Sequence, residues 1–157
     1  MNEITLKLAE KQDAPVIFEF LQRLAGRLGK EDSFKGSVEA IEKFGFCERP
    51  AFEAILAFRQ QNAVGCILFF EEFSTWRCSP GTYIQDLYVD ASMRGQGLGK
   101  VLVNAAIEHS KRWQASYLRL SVDADNSSGL GFYTAIGFKH EHKENMLTLN
   151  ISDLHFK

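Results

Sequence analysis

The residues of this chain most clearly spaced for chemistry lie between Arg94 and Lys100, where Arg-Gly-Gln-Gly-Leu-Gly-Lys places Gly95, Gly97 and Gly99 at alternate positions. Glycine has no Cβ, so a loop built from it turns backbone N–H groups outward, and a helix that starts there adds the positive end of its dipole. Such a loop suits a phosphate. A Walker loop would need a glycine where Arg94 stands and a hydroxyl where Val101 stands, and a dinucleotide fingerprint would need glycine at Lys100 or a small residue at Leu102. Neither pattern is met. His140, Glu141, His142 and Glu144 include a His-x-His pair, but third and fourth metal ligands cannot be named, so no metal is expected. No Gly-x-Ser-x-Gly elbow for serine hydrolysis occurs.

Elements must hold that loop in place. Tyr83 to Val89 is rich in aromatic and β-branched residues, as a strand is, and Val101, Leu102, Ala105 and Ala106 recur at helical spacing. The loop therefore joins a strand to a helix. Upstream, Ile4, Leu6 and Leu8 alternate with polar residues and predict a first strand with one buried face. Asp13 and Pro15 start a helix running to about Leu28, and Ser37 to Phe44 forms a second, stopped by Gly45. Ala54 to Phe58 and Val64 to Phe70 read as strands joined by a hairpin at residues 59–62, and Pro80-Gly81 turns the chain into the central strand. Downstream, Leu118, Leu120 and Val122 predict a half-buried strand, a helix follows, and Leu147, Leu149 and Ile151 predict a last strand. Periodicity gives an α+β protein with a mixed sheet.

The chain of 157 residues has 45% hydrophobic and 24% charged residues, as a globular domain does, and shows no linker or repeat. One domain over 1–157 is expected. A net charge of −2 gives no field for nucleic acid. No apolar run approaches the ~20 residues of a membrane span, so a cytoplasmic protein without membrane contact is expected. Cys47, Cys66 and Cys78 read as reduced thiols.

Arg-x-x-Gly-x-Gly after a strand resembles the pyrophosphate loop of the GNAT superfamily of acyl-CoA-dependent N-acetyltransferases. A second segment, Asn126-Ser-Ser-Gly-Leu-Gly-Phe-Tyr-Thr-Ala-Ile-Gly-Phe138, is similar to the Asn-x-x-Ala-x-x-Phe-Tyr-x-x-x-Gly-Phe signature of the same superfamily, with Gly129 where Ala or Ser is usual. The resemblance implies a GNAT-like fold, a mostly antiparallel mixed sheet flanked by helices and splayed at the central strand. It also implies acetyl-CoA as cosubstrate. Arg94, Gly95, Gln96, Gly97, Leu98, Gly99 and Lys100 would hold the pyrophosphate. Main-chain groups of Leu87, Tyr88 and Val89 would pair with the pantetheine arm, Asn126 would bond to it, and Tyr133 would protonate the departing thiolate. A phenol of pKa about 10 suits that step.

Within the superfamily, the segments from Glu39 through Arg49-Pro50 and from Tyr83 to Val89 look most like the spermidine/spermine (diamine) branch. That branch has Glu-Asp where this chain has Gln85-Asp86, and Gln85 cannot accept a proton. Asp86 is then the candidate base or ammonium anchor, with Glu71 and Glu72 on the neighbouring strand as further substrate-binding candidates beside Gln85. The acceptor would be a small primary amine, a polyamine or a thialysine-like compound, and the resemblance implies a homodimer. Two other readings stay open on these residues: an acyl-CoA sensor that has lost its base, motivated by Gln85, and an acetyltransferase acting on a protein or peptide amine.

Overall fold

The computed structural model describes residues 3–154. They fall into two compact units, one ending at Asp123 and the other beginning at Ala124. The first unit carries β1 (Ile4–Leu8), α1 (Ala14–Arg27), α2 (Val38–Gly45), β2 (Glu53–Arg59), β3 (Asn62–Ser74), β4 (Ser79–Val89), α3 (Leu98–Ser110) and β5 (Leu118–Arg119). Its strands form one sheet in the order β1-β2-β3-β4-β5, antiparallel except for the parallel pair β4 and β5. This is the mixed α+β architecture that the periodicity implies.

Local chemistry accounts for the elements. Asp13 caps the turn that opens α1 by accepting the Glu10 N–H at 2.8 Å, and Pro15 stands in the first turn of that helix. Ser37 caps α2 by accepting the Ala40 N–H at 3.0 Å. The β2–β3 hairpin turns at Gln60, which takes a φ of 58°. Apolar side chains then divide between two faces of the sheet. Ala14, Ile17, Phe20 and Ile41 from α1 and α2 are buried with Ala54, Leu56, Cys66, Leu68 and Tyr88 on one face. On the other, α3 buries Leu98, Leu102, Val103 and Ala106. The helix comes close because Gly65 has no side chain: a Cβ there would lie 2.8 Å from the Tyr88 carbonyl oxygen and 3.2 Å from Leu102.

The ladder between β3 and β4 is interrupted once. Leu68 pairs with Asp86 and Phe69 with Ile84, so Gln85 has no partner and forms a bulge. The bulge reverses which way the strand alternates. Before it, Thr82 bonds to Ser110 of α3 at 2.7 Å and Ile84 lies opposite Phe69, whose ring meets His109 of α3. After it, Asp86 and Tyr88 lie opposite Leu68 and Cys66, on the face covered by α1.

Three expectations need correction. β1 is an edge strand, so Leu6 and Leu8 remain exposed instead of forming a buried face. The strand expected through Leu118, Leu120 and Val122 pairs only at Leu118 and Arg119. In the second unit, α4 (Ser127–Ala135) forms as expected, but the segment expected as a last strand has no strand partner among the described residues. Leu147 and Leu149 lie exposed there, and Ile151 begins a short 3-10 turn ending at Asp153. Alternation of apolar residues marks which face a strand would bury, and it does not supply the neighbouring strand that would make it one.

Candidate active site

The loop after β4 is shaped by its neighbours before it is shaped by glycine. Asp90 accepts from the Ser92 hydroxyl at 2.7 Å and from the Ser92 N–H at 3.1 Å, which caps a short turn over Ala91–Met93. Those two bonds, with Arg23 of α1 at 3.1 Å, hold the Asp90 carboxyl below its usual pKa range. α1 is thereby tied to the entrance of the loop. Arg94 folds back so that its Nε donates to the Val89 carbonyl at 3.1 Å, and the Gln96 amide donates to the Ser92 carbonyl at 2.9 Å. Gly95 and Gly97 then take φ values of 73° and 84°, the left-handed region that a side chain disfavours.

α3 starts at Leu98 with Gly97 as its cap residue, and no side chain caps it. The first N–H to find a backbone acceptor is that of Val101, which donates to the Gly97 carbonyl at 3.2 Å. Amides of the first turn of a helix have no partner inside it. A Cβ added at Gly95 or Gly97 would meet nothing within 4 Å, so the space beside these glycines is open. An open concavity of amides at a helix start fits a diphosphate. Leu98 points its side chain into the core and Tyr88 stacks on Phe20 at 4.7 Å, so these two offer a ligand main-chain groups only.

β4 offers a second feature. Its pairing with β5 ends at Tyr83, and from Ile84 to Val89 it has no ladder partner on that side among the described residues. The main chain of Leu87, Tyr88 and Val89 thus borders a gap into which an extended amide-bearing arm can add like a strand.

Asp86 lies on the α1 face of the same strand and is half-buried. Burial pushes its carboxyl up to about 6. Below it, the buried Cys66 thiol is pushed up by desolvation and then by the Asp86 charge, so it stays protonated and inert. Gln85 at the bulge is exposed. The two other candidate carboxylates stand apart from Asp86. Glu71 pairs with Thr82 and shares its face, the α3 side. Glu72 pairs with Gly81, five residues back along β4, and is bound by Arg119 at 2.7 Å.

In the second unit, Asn126 caps α4, its Oδ1 accepting the Gly129 N–H at 3.0 Å and the Ser128 hydroxyl at 3.2 Å. Gly129 permits this: a Cβ there would lie 2.4 Å from Asn126 Nδ2. Tyr133 packs edge-on against Phe132 and Phe138, with ring centroids 5.0 and 5.4 Å away. The rings of His140 and His142 lie 4.0 Å apart, and no cluster of three metal-binding side chains forms among the described residues.

Sequence reasoning missed Arg23 and Ser121. Asp90-x-Ser92 was a readable cap signature, but the Arg23 partner lies 67 residues away and left no local signal. The bond from Tyr83 to Ser121 likewise spans 38 residues.

Comparison with known proteins agrees with this geometry. The acetyltransferase (GNAT) family pattern matches residues 18–138. The thialysine N-epsilon-acetyltransferase of Bos taurus is 28% identical over 145 residues, covering 87% of this chain and 85% of its own length. A peptidyl-lysine N-acetyltransferase of Salmonella typhimurium is 37% identical over 59 residues, 38% of this chain and 37% of that protein. Among solved structures, an aminoglycoside acetyltransferase from an uncultured soil sample superposes with a TM-score of 0.75 at 17% identity, covering 94% of this chain and 96% of that one. A ribosomal-protein-alanine N-acetyltransferase from Brucella melitensis gives 0.75 at 20% identity, covering 94% and 100%. At such identities the likeness of structures concerns the fold alone.

Proposed function

From the premise that this chain belongs to the acetyltransferase (GNAT) family and is an N-acetyltransferase, we propose that it acetylates a primary amine of a small molecule, with Asp86 as the group that frees the amine. Acetyl-CoA supplies an acetyl group activated as a thioester. The residues present fit it: the left-handed glycines Gly95 and Gly97 leave open space before the uncapped start of α3, and β4 beyond Ile84 keeps an unpaired edge. Gly95, Gln96, Gly97, Leu98, Gly99 and Lys100 hold the diphosphate through amides. Arg94 steadies the loop from the Val89 carbonyl. Leu87, Tyr88 and Val89 orient the arm through their main chain.

One observation carries the reading of the acceptor side: the half-buried carboxylate of Asp86 on the strand that borders the gap, raised to about 6 by desolvation. An alkylammonium titrates near 10.4 and cannot attack while protonated. Asp86 is ionised above pH 6 and, poorly solvated, gains by taking that proton. The freed nitrogen forms its bond to the acyl carbon as the carbon–sulfur bond breaks, Tyr133 gives its phenolic proton to the sulfur, and the proton that the nitrogen sheds on becoming an amide restores the phenol through solvent. Asn126 bonds to the cofactor arm, and Gln85 contributes a neutral donor and acceptor for the amine.

We take the acceptor class from the thialysine N-epsilon-acetyltransferases, whose name specifies an amine at the end of an amino-acid side chain. Glu72 is already held by Arg119 and Glu71 faces the other side of the sheet, which favours an amino acid, whose second ammonium is offset by its own carboxylate, over a polyamine. The protein is proposed to work in the cytoplasm as a homodimer. Exposed Met146, Leu147 and Leu149 in the second unit support a partner copy, and light scattering measures its mass.

The test is release of free thiol from acetyl-CoA against a panel of thialysine, lysine, diamines and spermidine. Turnover with thialysine or lysine above the diamines and spermidine is the expected outcome. Tight CoA binding with no thiol release across the panel would overturn it.

A further inference from the structure

β4 and β5 are joined at only two positions, Thr82 with Leu118 and Tyr83 with Arg119. Beyond them β4 has no ladder partner on that side among the described residues, so the free stretch of its edge ends at Tyr83. The Tyr83 ring is clamped there. The Tyr83 hydroxyl donates to Ser121 Oγ at 3.0 Å, two residues beyond the end of β5, and the ring stacks on Phe70 of β3 with centroids 5.1 Å apart and planes 25° from parallel.

We propose that Tyr83 and Ser121 set the length of acyl chain this protein accepts, admitting acetyl and refusing chains of four carbons. The inference rests on acetyl-CoA use as read above. An arm anchored at the glycine loop enters the gap beside Val89 and runs toward Tyr83, a distance of six residues or roughly 20 Å of strand. Its acyl end therefore points at that clamped ring. A methyl group asks for little room there. Each further methylene must take space that the Tyr83 ring holds, and the ring cannot yield without losing both its stacking on Phe70 and its bond to Ser121. Ser121 acts through Tyr83, as a positioning residue.

The experiment compares acetyl-CoA with butyryl-CoA in wild type, Tyr83→Ala, Tyr83→Phe and Ser121→Gly, by kcat/KM and by calorimetric affinity. Two methylenes in a tight pocket should give wild type a preference for acetyl-CoA of about a hundredfold. Tyr83→Ala should cut that preference by about tenfold or more, through tighter binding and faster use of butyryl-CoA, with affinity for free CoA held within about twofold. Tyr83→Phe keeps the ring and loses the clamp, so its preference should fall between the two. Should Tyr83→Ala fail to fold, Ser121→Gly, at an exposed position, carries the same test with a smaller shift. A folded Tyr83→Ala or Ser121→Gly protein with the wild-type preference overturns the inference while acetyl transfer stands. So does a wild type that uses both thioesters equally. A wild type that binds no CoA species overturns the inference and the underlying reading together.

Discussion

In the proposed mechanism Asp86 carries the heaviest load of any single side chain, and its pH behaviour can be worked out. An exposed aspartate titrates near 3.9, whereas burial raises this one to about 6. The folded protein thus holds the proton more tightly than the unfolded chain. The stability this group contributes is fully present below about pH 4 and is lost as pH rises through about 6. Asp86→Asn should therefore melt higher than wild type at pH 7.5, with the difference shrinking toward pH 5 in thermal scans. Activity runs the other way, because only the ionised form accepts a proton. The wild-type rate should fall below about pH 6, and Asp86→Asn should lose roughly a hundredfold or more and with it that acid limb. Tyr133→Phe should cost about a hundredfold in kcat with CoA affinity near normal, measured by stopped-flow thiol release and calorimetry. At this scale the sequence shows which residue types can do the work. It does not show that Glu72 is occupied by Arg119 or that Glu71 faces away, since both depend on cross-strand partners.

Among the elements, the turn from β4 into α3 was readable because alternate glycines mark it, and two of them, Gly95 and Gly97, take positive φ. Gly97→Ala should fold, since a Cβ there meets nothing within 4 Å, but its φ of 84° would cost about 1 kcal/mol in an L residue, and CoA affinity should fall in calorimetry. Gly65→Ala should do worse. Its Cβ would press on the Tyr88 carbonyl oxygen in the next strand, and about 1–3 kcal/mol of overpacking should appear as a lower Tm. Gly129 yields a less obvious expectation. Alanine would gain about 1 kcal/mol of helix propensity in α4 yet displace the Asn126 cap, which is worth about as much. Thermal scans should show Tm nearly unmoved. The family usually has Ala or Ser at this place, and the departure is explained by how tightly Asn126 closes over its own helix. The bulge at Gln85, by contrast, left no trace in the sequence. Tyr83 to Val89 reads as one strand of seven residues, and nothing local says that one of them lacks a partner.

For the molecule as a whole, element order was legible nearly to the end, and failures gathered at the margins of the sheet. Leu6, Leu8, Leu120 and Leu147 follow strand periodicity, but burial or pairing there depends on what lies beside the outermost strand. β1 forms with an exposed apolar side, β5 pairs over two residues, and the last segment finds no ladder among the described residues. Interior strands are fixed by neighbours on both sides, which is why β2, β3 and β4 were the easiest to read. The middle of the sheet still depends on a count. Pair Gln85 into the ladder, so that the rungs of β3 and β4 match without a gap, and every residue of β4 beyond it turns over. Asp86 would then lie beneath α3, and the tidier strand would have lost the carboxylate that the proposed chemistry needs.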